Sequence, residues 1–221
     1  MNQETVEQET VEQEIVEQEL EFVDSQEDNQ IVIINNIPPS YNPASDLRVL
    51  SLYGDVTEEL AADIVAGLLL LGESPHEPDP EDKRGIKLFI STHGGSVSDM
   101  FSIIDVMNMI QARGVDIETV GLGKVMSAGV LLLAAGTKGK RKIGKNCRLM
   151  LHGVSAGSVG PISTMENELA EFKWIQNRFV STLSKHSNLK KSKIKKMLKS
   201  HKDIYISAKD AIKLGIADEI A

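Results

Sequence analysis

The sequence predicts an α/β fold with a mainly parallel sheet. Two observations carry that prediction. From residue 47 onward, short aliphatic runs alternate with longer stretches of helical periodicity, and glycines or polar turns close most of those runs. Aromatic residues make up only 4% of the chain, so aliphatic and small side chains must do the packing.

Taken in order, residues 48–53 (RVLSLY) read as a first strand, closed by the turn Gly54-Asp55. Thr57 is placed to cap a helix over residues 58–71, whose Leu60, Ile64, Leu68 and Leu71 share one face. A Pro-rich polar loop, 73–85, leads to a buried strand at 86–90, a His93-Gly94-Gly95 turn and a helix over 97–112. A strand at 117–121 precedes the segment KVMSAGVLLLAAGTKGKR (124–141), in which a small-residue turn opens a buried apolar helix. A short strand at 148–151 follows, then a long helix from about 162 to 186 and a lysine-rich helix to about 200. In the long helix Ile162, Met165, Leu169, Phe172, Ile175, Phe179 and Leu183 recur at three- and four-residue steps, which predicts a buried face.

The first 45 residues differ in character and are set apart from a folded body at 46–221. They contain the repeat ETVEQ, ETVEQ, EIVEQ, whose period of five residues fits neither a heptad nor a strand, followed by a Pro-rich linker. Residues 1–30 hold 11 acidic and no basic residues, so the rest of the chain carries a net +3 against the overall −8. Such charge density predicts a segment that is disordered or weakly helical when free. The eight lysines of 185–202 lack aromatic interleaving or a nucleic-acid motif and read as a solvated helix face. No run approaches about 18 apolar residues, and the N-terminus lacks a secretory pattern. A single cysteine, Cys147, fits a reducing compartment, so the expected location is cytoplasmic.

Three features fall at strand ends, where open α/β sheets generally place their sites. Gly94-Gly95 can present backbone N–H groups to an anion, or can simply form a turn. Ser127 can cap the following helix, or can be a nucleophile with the Ala128 N–H beside it. His152 ends a strand and needs a partner for each ring nitrogen. The five histidines show no metal-ligand spacing, and there is no phosphate-binding GxxxxGK[ST] loop.

At this point the residues resemble the ClpP family of Clp protease proteolytic subunits. RVLSLYGDVTEELAADIVAGLLLL, LFISTHGGSV, MSAGVLLLAAGTKGKRKIGKNCRLMLHG and KDIYISAKDAIKLGIADEI are similar to that family's segments, in the same order, over residues 47–220. The resemblance implies a ClpP/crotonase-like fold of repeated β-β-α units with a protruding handle helix. It also implies a catalytic triad of Ser127, His152 and Asp203, with the Gly95 and Ala128 amides as oxyanion hole. From the residues alone, Asp203 could as well pair with a lysine or cap the last segment. The family further implies heptameric rings stacked into a tetradecamer, homomeric or mixed, and polypeptide substrates delivered by an AAA+ Clp unfoldase that uses the ATP. No cofactor, metal, nucleic acid or membrane is expected.

Four departures stand out. Ala128 replaces the Met that usually follows the nucleophile, His152-Gly153-Val154 replaces His-Gln-Pro, Lys202 replaces an Arg, and the acidic repeat and the 73–85 loop have no counterpart. The Gly/Ser-rich run after His152 predicts a looser substrate-binding edge, and Lys202 predicts weaker ring-to-ring contacts. Two other readings remain: a weakly active or non-catalytic regulatory ring subunit, and an acyl-CoA enzyme of the related crotonase fold. The second leaves Ser127 and His152 without a role.

Overall fold

The computed structural model describes residues 47–73, 85–199 and 202–221. The acidic repeat and linker of 1–45 and nearly all of the Pro-rich loop after the first helix lie outside the described residues. Within one unit, Pro43–Ala221, the order is β1 (Val49–Tyr53), α1 (Glu58–Glu73), β2 (Ile86–Thr92), α2 (Val97–Ala112), β3 (Ile117–Met126) and α3 (Ala128–Ala134). There follow β4 (Arg141–Ile143), β5 (Arg148–Leu151), α4 (Ile162–Lys185), α5 (Lys191–Leu198), β6 (Ile204–Ser207), α6 (Ala208–Lys213) and β7 (Glu219–Ile220). Thr57 caps α1 as expected, its Oγ1 accepting from the Leu60 N–H at 3.3 Å. Ser96 does the same for α2, accepting from Asp99.

The sheet runs β1-β2-β3-β4-β7, with every neighbouring pair parallel. Parallel strands covered by helices are buried on both faces. Leu88, Ile90, Ile103, Met107, Val125 and Leu131 are accordingly 0–1% exposed. Burying each such side chain stabilises the fold by about 1.5–3 kcal/mol. Truncating Ile103 to Ala would cost about 2–5 kcal/mol.

One feature of the sheet prepares the site. β3 is long and serves two partners. Its first half pairs with β4 through Thr119–Arg141 to Gly121–Ile143, and its last residues pair with β5 through Lys124–Arg148 to Met126–Met150. Gly123, at φ +59°, lies between the two halves. The sheet forks there, and β5 continues into β6, its one antiparallel partner.

The long helix corrects one expectation. Phe179 and Leu183 are buried as predicted, but Ile162 (76%), Met165 (42%) and Leu169 (50%) are exposed. The apolar stripe is correctly spaced, but among the described residues only the C-terminal part of α4 is packed into the core, and the N-terminal part of the stripe is left uncovered. Among the described residues no helix is long and apolar enough to cross a membrane.

Candidate active site

The fork brings two distant residues together. Because Met126 sits opposite Met150, Ser127 follows directly and donates its N–H to the Met150 carbonyl at 2.8 Å. Two residues beyond Met150, just past the end of β5, comes His152, whose Nε2 lies 2.8 Å from the Ser127 Oγ. A hydroxyl that donates to this nitrogen requires the imidazole proton on Nδ1.

Ser127 occupies the position before α3 but makes no side-chain cap bond. Its backbone has φ 52° and ψ −118°, the only positive φ at a non-glycine among the described residues. Such a conformation costs on the order of 1–3 kcal/mol and persists only where its surroundings impose it. Of the two roles open to Ser127 in the sequence, capping is therefore the one the geometry does not support. The sharp turn lifts the hydroxyl out of the helix path and onto His152.

The Gly94-Gly95 turn is held against this serine. Gly94 has φ +107°, and a Cβ there would lie 2.7 Å from the Ser127 Cβ and 3.2 Å from the Ala128 nitrogen. Only glycine can approach so closely. Thr92, fully buried at the end of β2, fixes the turn. Its Oγ1 accepts the Gly94 N–H at 2.9 Å and donates to the Gly94 carbonyl at 3.3 Å.

On the other side, Val56 donates to the Gly94 carbonyl at 2.7 Å and accepts from the Ser96 N–H at 2.8 Å, forming a parallel bridge to Gly95. Such a bridge uses the groups flanking Gly95 and turns the Gly95 N–H away from Val56. Among the described residues neither that N–H nor the Ala128 N–H donates to any acceptor. Unused amides near a hydroxyl are what an oxyanion site requires.

Asp203 is reached by a different route. The antiparallel register of β5 and β6 ends at Leu151–Ile204. Continued by one residue, it sets His152 opposite Asp203, and both line one cavity. Among the described residues no hydrogen bond or ion pair joins the two side chains, and Asp203 is exposed. The structure thus brings Ser127, His152, Gly95 and Ala128 into one constellation and places Asp203 at its edge.

Neither Thr92 nor Val56 was marked out by any motif or spacing. A threonine at a strand end has many uses, and Val56 meets Gly95 only through the packing of β1 against β2. Cys147 offers no rival nucleophile, because burial pushes its thiol up to about 11 and thiolate, not thiol, is the reactive form.

Comparison with known proteins agrees with this geometry. Residues 35–221 match the family model for Clp protease. The ATP-dependent Clp protease proteolytic subunit 2 of Chlamydia abortus is 32% identical over 174 residues, covering 78% of this chain and 79% of that protein. Proteolytic subunit 3 of Nocardia farcinica is 34% identical over 182 residues, covering 81% and 77%. Proteolytic subunit 1 of Rhodococcus jostii is 33% identical over 181 residues, again covering 81% and 77%. The parallel sheet with its six described helices is the ClpP/crotonase-like arrangement expected from the sequence. A match that runs from ahead of β1 to the last residue takes in every element that builds the site, and the chain belongs to the Clp protease family.

Proposed function

We propose that this chain is a serine endopeptidase subunit of a Clp-type protease. The observation that carries the reading is the 2.8 Å approach of the Ser127 Oγ to the His152 Nε2 at a strained backbone that forgoes helix capping. In the proposed reaction His152 takes the hydroxyl proton as Ser127 attacks a peptide carbonyl, then returns it to the leaving amine. The Gly95 and Ala128 amides receive the tetrahedral oxyanion, each such donor being worth roughly 10²–10³ in rate. Asp203 closes the triad when its carboxylate turns to the His152 Nδ1 from its place across the β5–β6 register. Water then releases the acyl group, with His152 again as base, and neither a metal nor a cofactor takes part.

The same reading makes the exposed stripe of α4 a handle that seats a second ring, giving heptamers stacked into a tetradecamer, homomeric or mixed. An AAA+ Clp unfoldase hydrolyses the ATP and feeds in polypeptide, with the cytoplasm as the site of action. A fluorophosphonate probe tests the chemistry: it labels Ser127, and Ser127→Ala abolishes labelling.

A regulatory ring subunit of low activity is the second reading, favoured by the unjoined Asp203 and His152. Failure of the probe to label the folded chain, with and without an unfoldase, would decide for it.

A further inference from the structure

All eight lysines of 185–202 are exposed, yet they do not share one environment. A cavity of about 570 Å³ is lined by His152 but by neither glycine of the 94–95 turn. Three of the eight lysines of 185–202 line it: Lys195, Lys199 and Lys202. Lys195 and Lys199 stand four residues apart and so share one face of α5, while Ile194 and Leu198 anchor that helix in the core. Lys202 enters from the segment just ahead of β6. From α4, Gln176 and Asn177 add side-chain amides to the wall, and Val180 and Leu198 supply apolar surface. Among the described residues none of the three lysines forms an ion pair.

We propose that this cavity receives the side chain of an acidic substrate residue, Asp or Glu, adjoining the scissile peptide bond. The proposal rests on the peptidase reading above and names the substrate class of that site. Three ammonium groups face a single carboxylate, Asp203, and the proposed mechanism engages that carboxylate at His152. Among the described residues the lining of the cavity offers the remaining positive charge no second carboxylate. A Glu carboxylate reaching into the cavity meets lysine ammoniums and amide N–H donors, while its methylenes lie on Val180 and Leu198. A bulky apolar side chain would take the same lysines out of water without replacing their hydrogen bonds. Because the ammoniums keep contact with solvent, each pairing is modest, about twofold in rate, and the three together give roughly tenfold.

The test uses the full-length chain and matched peptides that differ only in Glu or Leu beside the scissile bond, in either flanking position. The readout is the ratio of kcat/KM values, so changes in overall activity cancel. The expected ratio favours Glu by about tenfold at low salt and shrinks at 1 M salt, where the screening length falls to about 3 Å. The double variant K195E/K199E inverts the preference toward Leu or Lys. Equal or faster cleavage of the Leu peptides, or a ratio that ignores both salt and the substitutions, would overturn the proposal. Fluorophosphonate labelling separates the two levels. Labelled Ser127 without a Glu preference sinks only the pocket, whereas an unlabelled chain that cleaves no peptide sinks the peptidase reading and the pocket with it. The position of the favoured Glu in the products assigns the cavity to the acyl or the leaving side.

Discussion

Substituting Gly94 by Ala isolates the contact on which the oxyanion argument depends. The new Cβ would stand 2.7 Å from the Ser127 Cβ and 3.0 Å from the Met126 carbonyl oxygen. Ordinary carbon–carbon contact begins near about 3.5 Å, so the turn and the serine must separate by nearly 1 Å. Two costs add: roughly 1–3 kcal/mol for placing a non-glycine at φ +107°, and roughly 1–3 kcal/mol for overpacking. For a domain of this size each kcal/mol lowers Tm by about 2–4 °C, which predicts a fall of roughly 4–24 °C.

The functional effect is larger. The Gly95 N–H shifts with the turn, and a misplacement of about 1 Å near the reacting atoms costs on the order of 10²-fold. The assay is the second-order rate constant for fluorophosphonate labelling, measured beside a thermal melt. Gly114→Ala is the control, because Gly114 also has positive φ, +88°, but has nothing within 4 Å of the would-be Cβ. It should lose about 1 kcal/mol of stability and label at the wild-type rate. A folded Gly94→Ala chain that labels within threefold of wild type would refute the argument that this turn sets the site.

Further expectations bear on the same geometry. Thr92→Val leaves the Gly94 N–H without its buried acceptor; it should lose about 1–3 kcal/mol and slow labelling, and Thr92→Ser should restore both in differential scanning and probe assays. Ser127→Gly relieves the φ 52° strain, so it should raise Tm by about 3 °C while abolishing labelling; an unchanged or lower Tm would count against strain at the nucleophile. Asp218 tests acid stability: hydrogen bonds from the Arg141 guanidinium hold its carboxyl below the usual range. Its folded-state value is depressed, so this stabilisation is present above the unfolded carboxylate value of about 4 and is lost as pH falls through the folded one. Asp218→Asn strands Arg141, which is 4% exposed, and should cost about 3 kcal/mol at pH 7. In melts the gap to wild type should narrow below about pH 4.

Much of the architecture was legible in the sequence because it rests on local rules. Apolar period and the Thr57 cap located α1, the helix over 97–112 was also read from the sequence, and in the structure Thr57 and Ser96 cap as side chains of their type should. The short strands β4, β6 and β7 escaped notice, being two to four residues long and defined by what they pair with rather than by any pattern of their own. For α4, the three- and four-residue spacing identified a helix with an apolar face, but spacing cannot say whether the covering surface belongs to the same chain.

The site divides along the same line. Sequence alone nominated Ser127, His152 and the Gly94-Gly95 turn as strand-end features, and left open whether Ser127 caps a helix or attacks a carbonyl. Local preference favours the cap. What turns the hydroxyl from the cap to His152 is tertiary structure, since the positive φ of Ser127 and the nearness of His152 both follow from the fork of β3 and the Met126–Met150 register. Which three lysines line the cavity beside His152 was decided in the same way. Hydrogen-bond register between distant strands and the packing of α5 beside α4 are set by the whole chain, and no short stretch of sequence encodes them.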